Sequence, residues 1–434
     1  MRFTPYTMII LLSLLVLAPA THGQVTMTLE ECLVQAVERS PQLESSRAKM
    51  ASSRASALMT GAERLPTLYA AGSASYISET MQLEFPVSPL FPTGYSVDFG
   101  DGKNYDTKLA VRAPLYTGGA LSNRIKALGK EANASELDFS ADSLKVLHLT
   151  RTAYYKSLSA AEAERAVRTA LDRLKRHEKE LEGSIEIGMA GEEERLSLLS
   201  RIREVEQQVA SASSAAAAAR LQLGQIVGKP GEEVFPNGGL ETVPGVSFSE
   251  TENLLKERPD VMAWETRRES AKNRTDALKG QWWPTVSAEA AYHYGKPGID
   301  NITNDWMGYA TVGVNLNWTI FDWKTRGYSI EGAKADERKI ASAQRATLET
   351  WKTQVQSAQK FMDAAETRLK IAEDRLGLER RRYELIQGRY QQGQASENEL
   401  LDAEDDLTSA EISLVQATAD LRLTEADLFY TLGR

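Results

Sequence analysis

The sequence predicts an α+β membrane protein, internally duplicated, in which each half carries an amphipathic β-hairpin and a pair of very long helices. Three observations lead there: a long internal repeat, segments in which apolar and polar residues alternate, and stretches of nearly seventy residues without proline.

The repeat is read from matched punctuation. Pro41 and Pro66 are 25 residues apart, as are Pro259 and Pro284, at an offset of 218. Each second proline opens a similar phrase, Pro66-Thr67-Leu68 and Pro284-Thr285-Val286. Further along, Tyr116 pairs with Phe321, Gly188 with Gly393, Glu194 with Glu399, Leu196 with Leu401 and Gly228 with Gly433, all at an offset of 205. The 13-residue difference falls between Pro66 and Tyr116. A duplication of this length describes a repeated half-shell that further copies must close, not one ordinary globular domain.

The elements follow in order. Residues 28–64 read as helical with a break at Ser40-Pro41, then strands over 67–85 and 105–116, a helix over 119–187, a Gly-rich turn from Gly188 to Gly191, and a helix over 192–227. A Gly- and Pro-rich linker, 229–248, separates this first repeat (24–228) from the second (249–434). The second repeats the plan: helices 249–257 and 260–282, strands 285–294 and 307–321, helix 325–391, a turn at Gly393 and helix 397–432. Extra length in the first hairpin is expected in its loop, roughly 85–104, which holds Pro86, Pro89 and Pro92.

The second strand pair is the clearest. Val286, Ala288, Ala290, Tyr292 and Tyr294 alternate with Thr285, Ser287, Glu289, Ala291 and His293; Val312, Val314, Leu316, Trp318 and Ile320 alternate with Thr311, Gly313, Asn315, Asn317 and Thr319. Strands of about 10 residues with one apolar and one polar face suit a transmembrane barrel. Aromatics mark both ends, Trp282, Trp283, Trp318, Phe321 and Trp323 at one and Tyr294, Trp306 and Tyr309 at the other, as the two membrane interfaces select. Four strands cannot close a barrel, and lipid does not tolerate an open edge, so several chains must share one; strand count alone allows a dimer, a trimer or more. The long helices, amphipathic and Ala-rich, each span roughly 100 Å at about 1.5 Å per residue.

The N-terminus reads as a secretory signal, residues 1–23: Arg2, an apolar core from Met8 to Leu17, and small residues that place cleavage after Ala20 or Gly23. The one cysteine, Cys32, follows Leu29-Glu30-Glu31 in the first turns of a helix, where it reads as structural rather than lipidated. A net charge of −9 argues against nucleic acid as partner. Catalysis is not expected. His177-Glu178-Lys179-Glu180-Leu181 has leucine where a zinc-protease helix needs its second histidine, and the carboxylates are expected on solvated helix faces. No cofactor or metal is implied.

The tips carry physics of their own. Glycine at Gly188 and Gly393 suits a helix end that reverses through positive φ. Ser396-Glu397-Asn398-Glu399 has capping-box spacing. Asp402 shares a helix face with Glu399. The phrase from Tyr390 through Gly393, Ser396 and Glu399 to Asp402-Ala403 is similar to the signature Tyr-x-x-Gly-x-x-Ser/Thr-x-x-Asp-Val/Leu-Leu-Asp/x-Ala of the TolC-type outer-membrane efflux proteins. A weaker version stands at Gly188, Gly191 and Glu194, where Gly191 departs from the usual Ser or Thr. With the duplication, hairpins and long helices, the resemblance covers nearly the whole mature chain.

It implies a homotrimer with a shared 12-stranded barrel over a periplasmic helical tunnel. The function implied is a passive exit duct of a tripartite efflux or type I secretion system. The partners would be a periplasmic adaptor, an inner-membrane pump of RND, ABC or MFS type, and outer-membrane lipid. It further implies a pore constriction at Asp402 and Glu399 and an aperture latch at Tyr390 and Glu194. Tips at Gly188, Gly191, Gly393 and Ser396 would dock the adaptor. The alternative is the adaptor itself, which would carry one helical hairpin rather than two.

Overall fold

The computed structural model describes residues 25–79, 81–87, 89–90, 93, 95–99, 101–188, 190–240, 251–300 and 304–434. The signal segment 1–23, Gly94 and Pro92 of the first hairpin loop, and the linker beyond residue 240 lie outside the described residues. In chain order the elements are β1 (Val25–Met27), α1 (Leu29–Arg39), α2 (Pro41–Ala62), β2 (Thr67–Tyr76), β3 (Met81–Phe85), β4 (Tyr95–Phe99), β5 (Lys103–Tyr116), α3 (Ala120–Glu186), α4 (Glu192–Ile226), β6 (Val234–Pro236), α5 (Thr251–Lys256), α6 (Pro259–Gly280), β7 (Thr285–Lys296), β8 (Met307–Asn317), α7 (Thr325–Gln391) and α8 (Glu397–Thr431). The duplication shows in lengths: α3 and α7 are each 67 residues, α4 and α8 each 35.

Two compact units are assembled from separate segments. One takes Met1–Glu38, Leu149–Val243 and Ala365–Leu423; the other takes Arg39–His148, Pro244–Ala364 and Thr424–Arg434.

In the first unit, β1 pairs in parallel with β6, Val25 opposite Val234 and Met27 opposite Pro236. Part of the expected linker is therefore a strand. The pair closes a core of Met27, Cys32, Tyr154, Leu158, Leu223, Val227 and Val234. Cys32 is fully buried, and burial pushes its thiol up to about 12; it packs as a small apolar side chain. Further along α3, Val167, Leu174 and Leu181 recur every seven residues and join Leu198, Ile202 and Val205 of α4 in one cluster. A seven-residue apolar period is what a coiled-coil seam requires.

In the second unit, β2, β5, β7 and β8 form an antiparallel sheet in that order. Its register builds one continuous apolar face. Leu68 lies opposite Val111, Ala70 opposite Leu109, Leu109 opposite Tyr292, Val111 opposite Ala290, Ala290 opposite Val312 and Val286 opposite Leu316. Val312 is 85% exposed, and Leu68, Val314 and Leu316 are similarly open. A soluble sheet would bury such a face; among the described residues nothing covers this one. Among the described residues, edge strands β2 and β8 each have one unpaired side.

Two strand boundaries differ from expectation by more than two residues. The strand read over 67–85 ends at Tyr76, opposite Lys103, and β3 and β4 form a separate antiparallel ribbon, Met81 opposite Phe99. The extra length of the first hairpin is therefore partly a ribbon, not only loop. The strand read over 307–321 ends at Asn317, and the Trp318 indole instead donates to the Trp282 carbonyl at 3.1 Å. Among the described residues no helix is long and apolar enough to cross a membrane.

Candidate functional site

The sites expected from sequence gather at the turns joining α3 to α4 and α7 to α8, within the first unit. Each long helix ends on a glycine with positive φ, Gly188 at +76° and Gly393 at +70°. Neither would crowd an added Cβ, so the requirement for glycine there is conformational rather than steric. Gly393 N–H donates to the Tyr390 carbonyl at 2.9 Å and Gln394 N–H to that of Arg389 at 2.8 Å, closing the end of α7.

The next helices start on their expected caps. Ser396 N–H donates to Glu399 Oε2 at 2.8 Å, and Glu399 N–H returns to Ser396 Oγ at 3.3 Å, a complete capping box. In the first repeat Gly191 has no hydroxyl to return, but its N–H donates to Glu194 Oε2 at 2.6 Å. The Ser396 N–H first, then its hydroxyl, holds the Glu399 carboxyl below its usual range. Because that pKa is lowered, the cap's contribution is full above the unfolded carboxylate range and is lost as pH falls through the lowered value. Glu399 is thus committed to its own helix. Asp402 is exposed, in a groove lined by Glu193, Ser197, Arg201, Asn398 and Asp405.

Within one copy Tyr390 and Glu194 are not hydrogen-bonded to each other. The Tyr390 phenol bonds Glu397, and Glu194 stands only in its electrostatic surroundings, its carboxylate engaged by Gly191. Burial first, then that hydrogen bond, raises the Tyr390 pKa. His177 completes the cluster: its Nε2 lies 2.9 Å from both Glu397 oxygens, and its ring meets Tyr390 edge-on with centroids 5.3 Å apart. Glu397 is 4% exposed. A carboxylate only accepts, so Nε2 carries the donated proton.

One turn along lies a second buried cluster. Arg173 Nε donates to Glu404 at 2.7 Å, Nη2 to Thr408 Oγ1 at 2.9 Å, and both Nη atoms reach Glu411 Oε2 at 3.2 Å. Burial opposes the guanidinium's charge, but Glu404 and Glu411 outweigh it and raise the Arg173 pKa. Burial, then Glu404, pushes the Tyr383 phenol up to about 12. Both clusters border a cavity of ≈ 490 Å³ whose walls also include Glu180, Glu194 and Gly393.

These carboxylates are the exception to the expectation of solvated faces. Glu397, Glu404 and Glu411 recur every seven residues, as do Tyr383 and Tyr390, while Arg173 and His177 are one turn apart on α3. Each set shares one helix face. Sequence reading set His177 aside as a failed metal motif and missed Arg173, Glu397 and Glu404. The heptad spacing of the acids was the available signal. Among the described residues no group of three or more His, Cys, Asp or Glu is placed to hold a metal ion.

The sheet with an uncovered apolar face and the tips of the long helical hairpins have close counterparts among solved structures. VceC, an outer membrane protein from Vibrio cholerae, superimposes with a TM-score of 0.75 at 19% identity, over 93% of this chain and 96% of that one. The open-state MtrE outer membrane channel of Neisseria gonorrhoeae gives 0.77 at 20%, over 93% and 88%. The CmeC outer membrane channel of Campylobacter jejuni gives 0.75 at 17%, over 100% and 93%. At these identities the likeness is one of fold. A comparison with curated proteins gave no match. The family model described as outer membrane efflux protein matches twice, over residues 32–229 and 251–434. With both halves matched, the chain belongs to the outer membrane efflux protein family, and it is an efflux channel of the outer membrane.

Proposed function

We propose that three copies of this chain pair edge to edge, β2 of one with β8 of the next, into a 12-stranded barrel. The assembly is a passive exit duct, with its helical hairpins on the periplasmic side. One observation supports this above others: a four-stranded sheet with a mainly apolar face and, among the described residues, two open edges, which lipid tolerates only if closed. Mass measurement of detergent-purified protein tests it. Three times the mass of the mature chain is expected; a stable monomer overturns the reading.

A duct needs a pump and a coupling. An inner-membrane pump of RND, ABC or MFS type supplies energy, and a periplasmic adaptor meets the turns at Gly188, Gly191, Gly393 and Ser396, where small residues permit close backbone approach. The duct performs no reaction. The three histidines among the described residues are taken up in pairs with carboxylates, His148 with Asp427, His177 with Glu397 and His293 with Asp106. Residues 1–23 act as the export signal, and 24–228 and 249–434 are the two repeats.

Asp402 is the leading constriction residue, because its carboxylate is exposed while that of Glu399 is held by its cap. Three such carboxylates around one axis retain cations and resist anions. In planar bilayers Asp402→Ala is expected to lower the cation-to-anion permeability ratio, several-fold more than Glu399→Ala. Wild-type selectivity in Asp402→Ala places the residue off the pore.

A further inference from the structure

The polar face of the sheet carries a charge cluster that the duct reading alone does not use. Arg112 of β5 lies directly opposite Glu289 of β7. Its Nε donates to Glu289 Oε2 at 2.7 Å. Lys108, opposite His293, leans along the strand so that its Nζ reaches the other oxygen of the same carboxylate at 3.1 Å. Tyr69 of β2 supports both cations: its ring lies 5.6 Å from each, and its hydroxyl accepts from Arg112 Nη2 at 3.4 Å. Two cations thus share one anion. The side chain of Glu289 is 15% exposed, whereas that of Arg112 is 56% exposed. The excess positive charge is therefore the part left open, and Arg112 Nη1 has no partner among the described residues.

The same face is different nearer the strand ends that lead to the β7–β8 turn. There Asp106 lies 3.1 Å from His293 Nδ1, Thr311 Oγ1 is 3.3 Å from His293 Nε2, and Tyr309 stacks on the imidazole with centroids 4.8 Å apart. Glu289 and His293 are about 13 Å apart along β7 at about 3.3 Å per residue. The layer beside the helices therefore holds an unbalanced cation and the outer layer does not. A charge held by a neighbouring carboxylate and an aromatic ring is pre-placed, so an arriving anion orders little to bind it.

We propose that Arg112, supported by Lys108, Glu289 and Tyr69, forms an anion-binding station on the inner wall of the barrel, repeated in each copy, which takes phosphate, sulfonate or carboxylate groups of passing solutes. This rests on the duct reading, which sets the apolar face toward lipid and this face toward the lumen. A duct that is acidic at Asp402 and basic at Arg112 would present both signs of charge to its cargo.

The test is block of single-channel current by sodium tripolyphosphate added on the side of the barrel mouth, with the full-length protein in planar bilayers. Arg112→Gln is expected to raise the half-blocking concentration about tenfold, equivalent to 1.4 kcal/mol. Glu289→Gln, which frees the cations, is expected to lower it. Folding is checked by the oligomer mass of each variant, and the opposite directions guard against a shared structural defect. Equal block in wild type, Arg112→Gln and Glu289→Gln overturns the station while leaving the duct intact. Absence of any conductance in the wild type overturns the duct reading, and the station with it.

Discussion

Replacing Arg173 with methionine is expected to destabilise the helical unit by about 3–5 kcal/mol, the range for removing one partner of a buried ion pair. The side chains of Arg173 and Glu404 are 12% and 5% exposed, so Glu404 would be left charged and buried with Glu411 close by. Denaturant titration followed by circular dichroism reads the loss. The double variant Arg173→Met, Glu404→Leu should recover most of it, because an apolar pair of similar volume is often as stable as the ion pair it replaces. A single variant that unfolds at the wild-type denaturant concentration would show that this cluster does not hold α3 to α8.

The second large effect concerns the proposed aperture. Tyr390→Phe combined with Glu397→Gln is expected to raise resting conductance, whereas Glu194→Gln alone is expected to leave it near wild type. The pair removes two hydrogen bonds to a buried carboxylate, each worth about 1.5–3 kcal/mol. If half of that favours the closed arrangement, the open fraction rises about tenfold or more. The contrast with Glu194 follows from geometry: Glu397 bonds both Tyr390 and His177, while the Glu194 carboxylate is held by the Gly191 N–H. Conductance that rises equally in Glu194→Gln would restore Glu194 as the partner across copies.

Much of the architecture was legible because its signals are local. Proline-free, Ala-rich stretches gave α3 and α7 to within a residue or two, and glycine with positive φ fixed where each stops. Period-two alternation placed β7 and β8. What failed to show depends on partners distant in sequence. The β3–β4 ribbon has Pro86 and Pro89 beside it, so β3 reads as the end of one long strand and β4 reads as loop. The end of β8 is set by the Trp282 carbonyl capturing Trp318, which no alternation rule contains. His177 and Glu397 are 220 residues apart, and each looks like an ordinary polar residue on an amphipathic helix until the other arrives.

The unpaired sides of β2 and β8 have a consequence before any membrane is reached. A newly exported copy presents two hydrogen-bonding edges and a sheet face of Leu68, Val312, Val314 and Leu316 to water. Such edges template wrong pairings as readily as right ones. Correct closure needs sister chains and is therefore concentration-dependent, but so is aggregation. Biogenesis becomes a race between two bimolecular processes. The cell must shield this surface in transit, so overproduction without matching chaperone capacity yields aggregate rather than more channels.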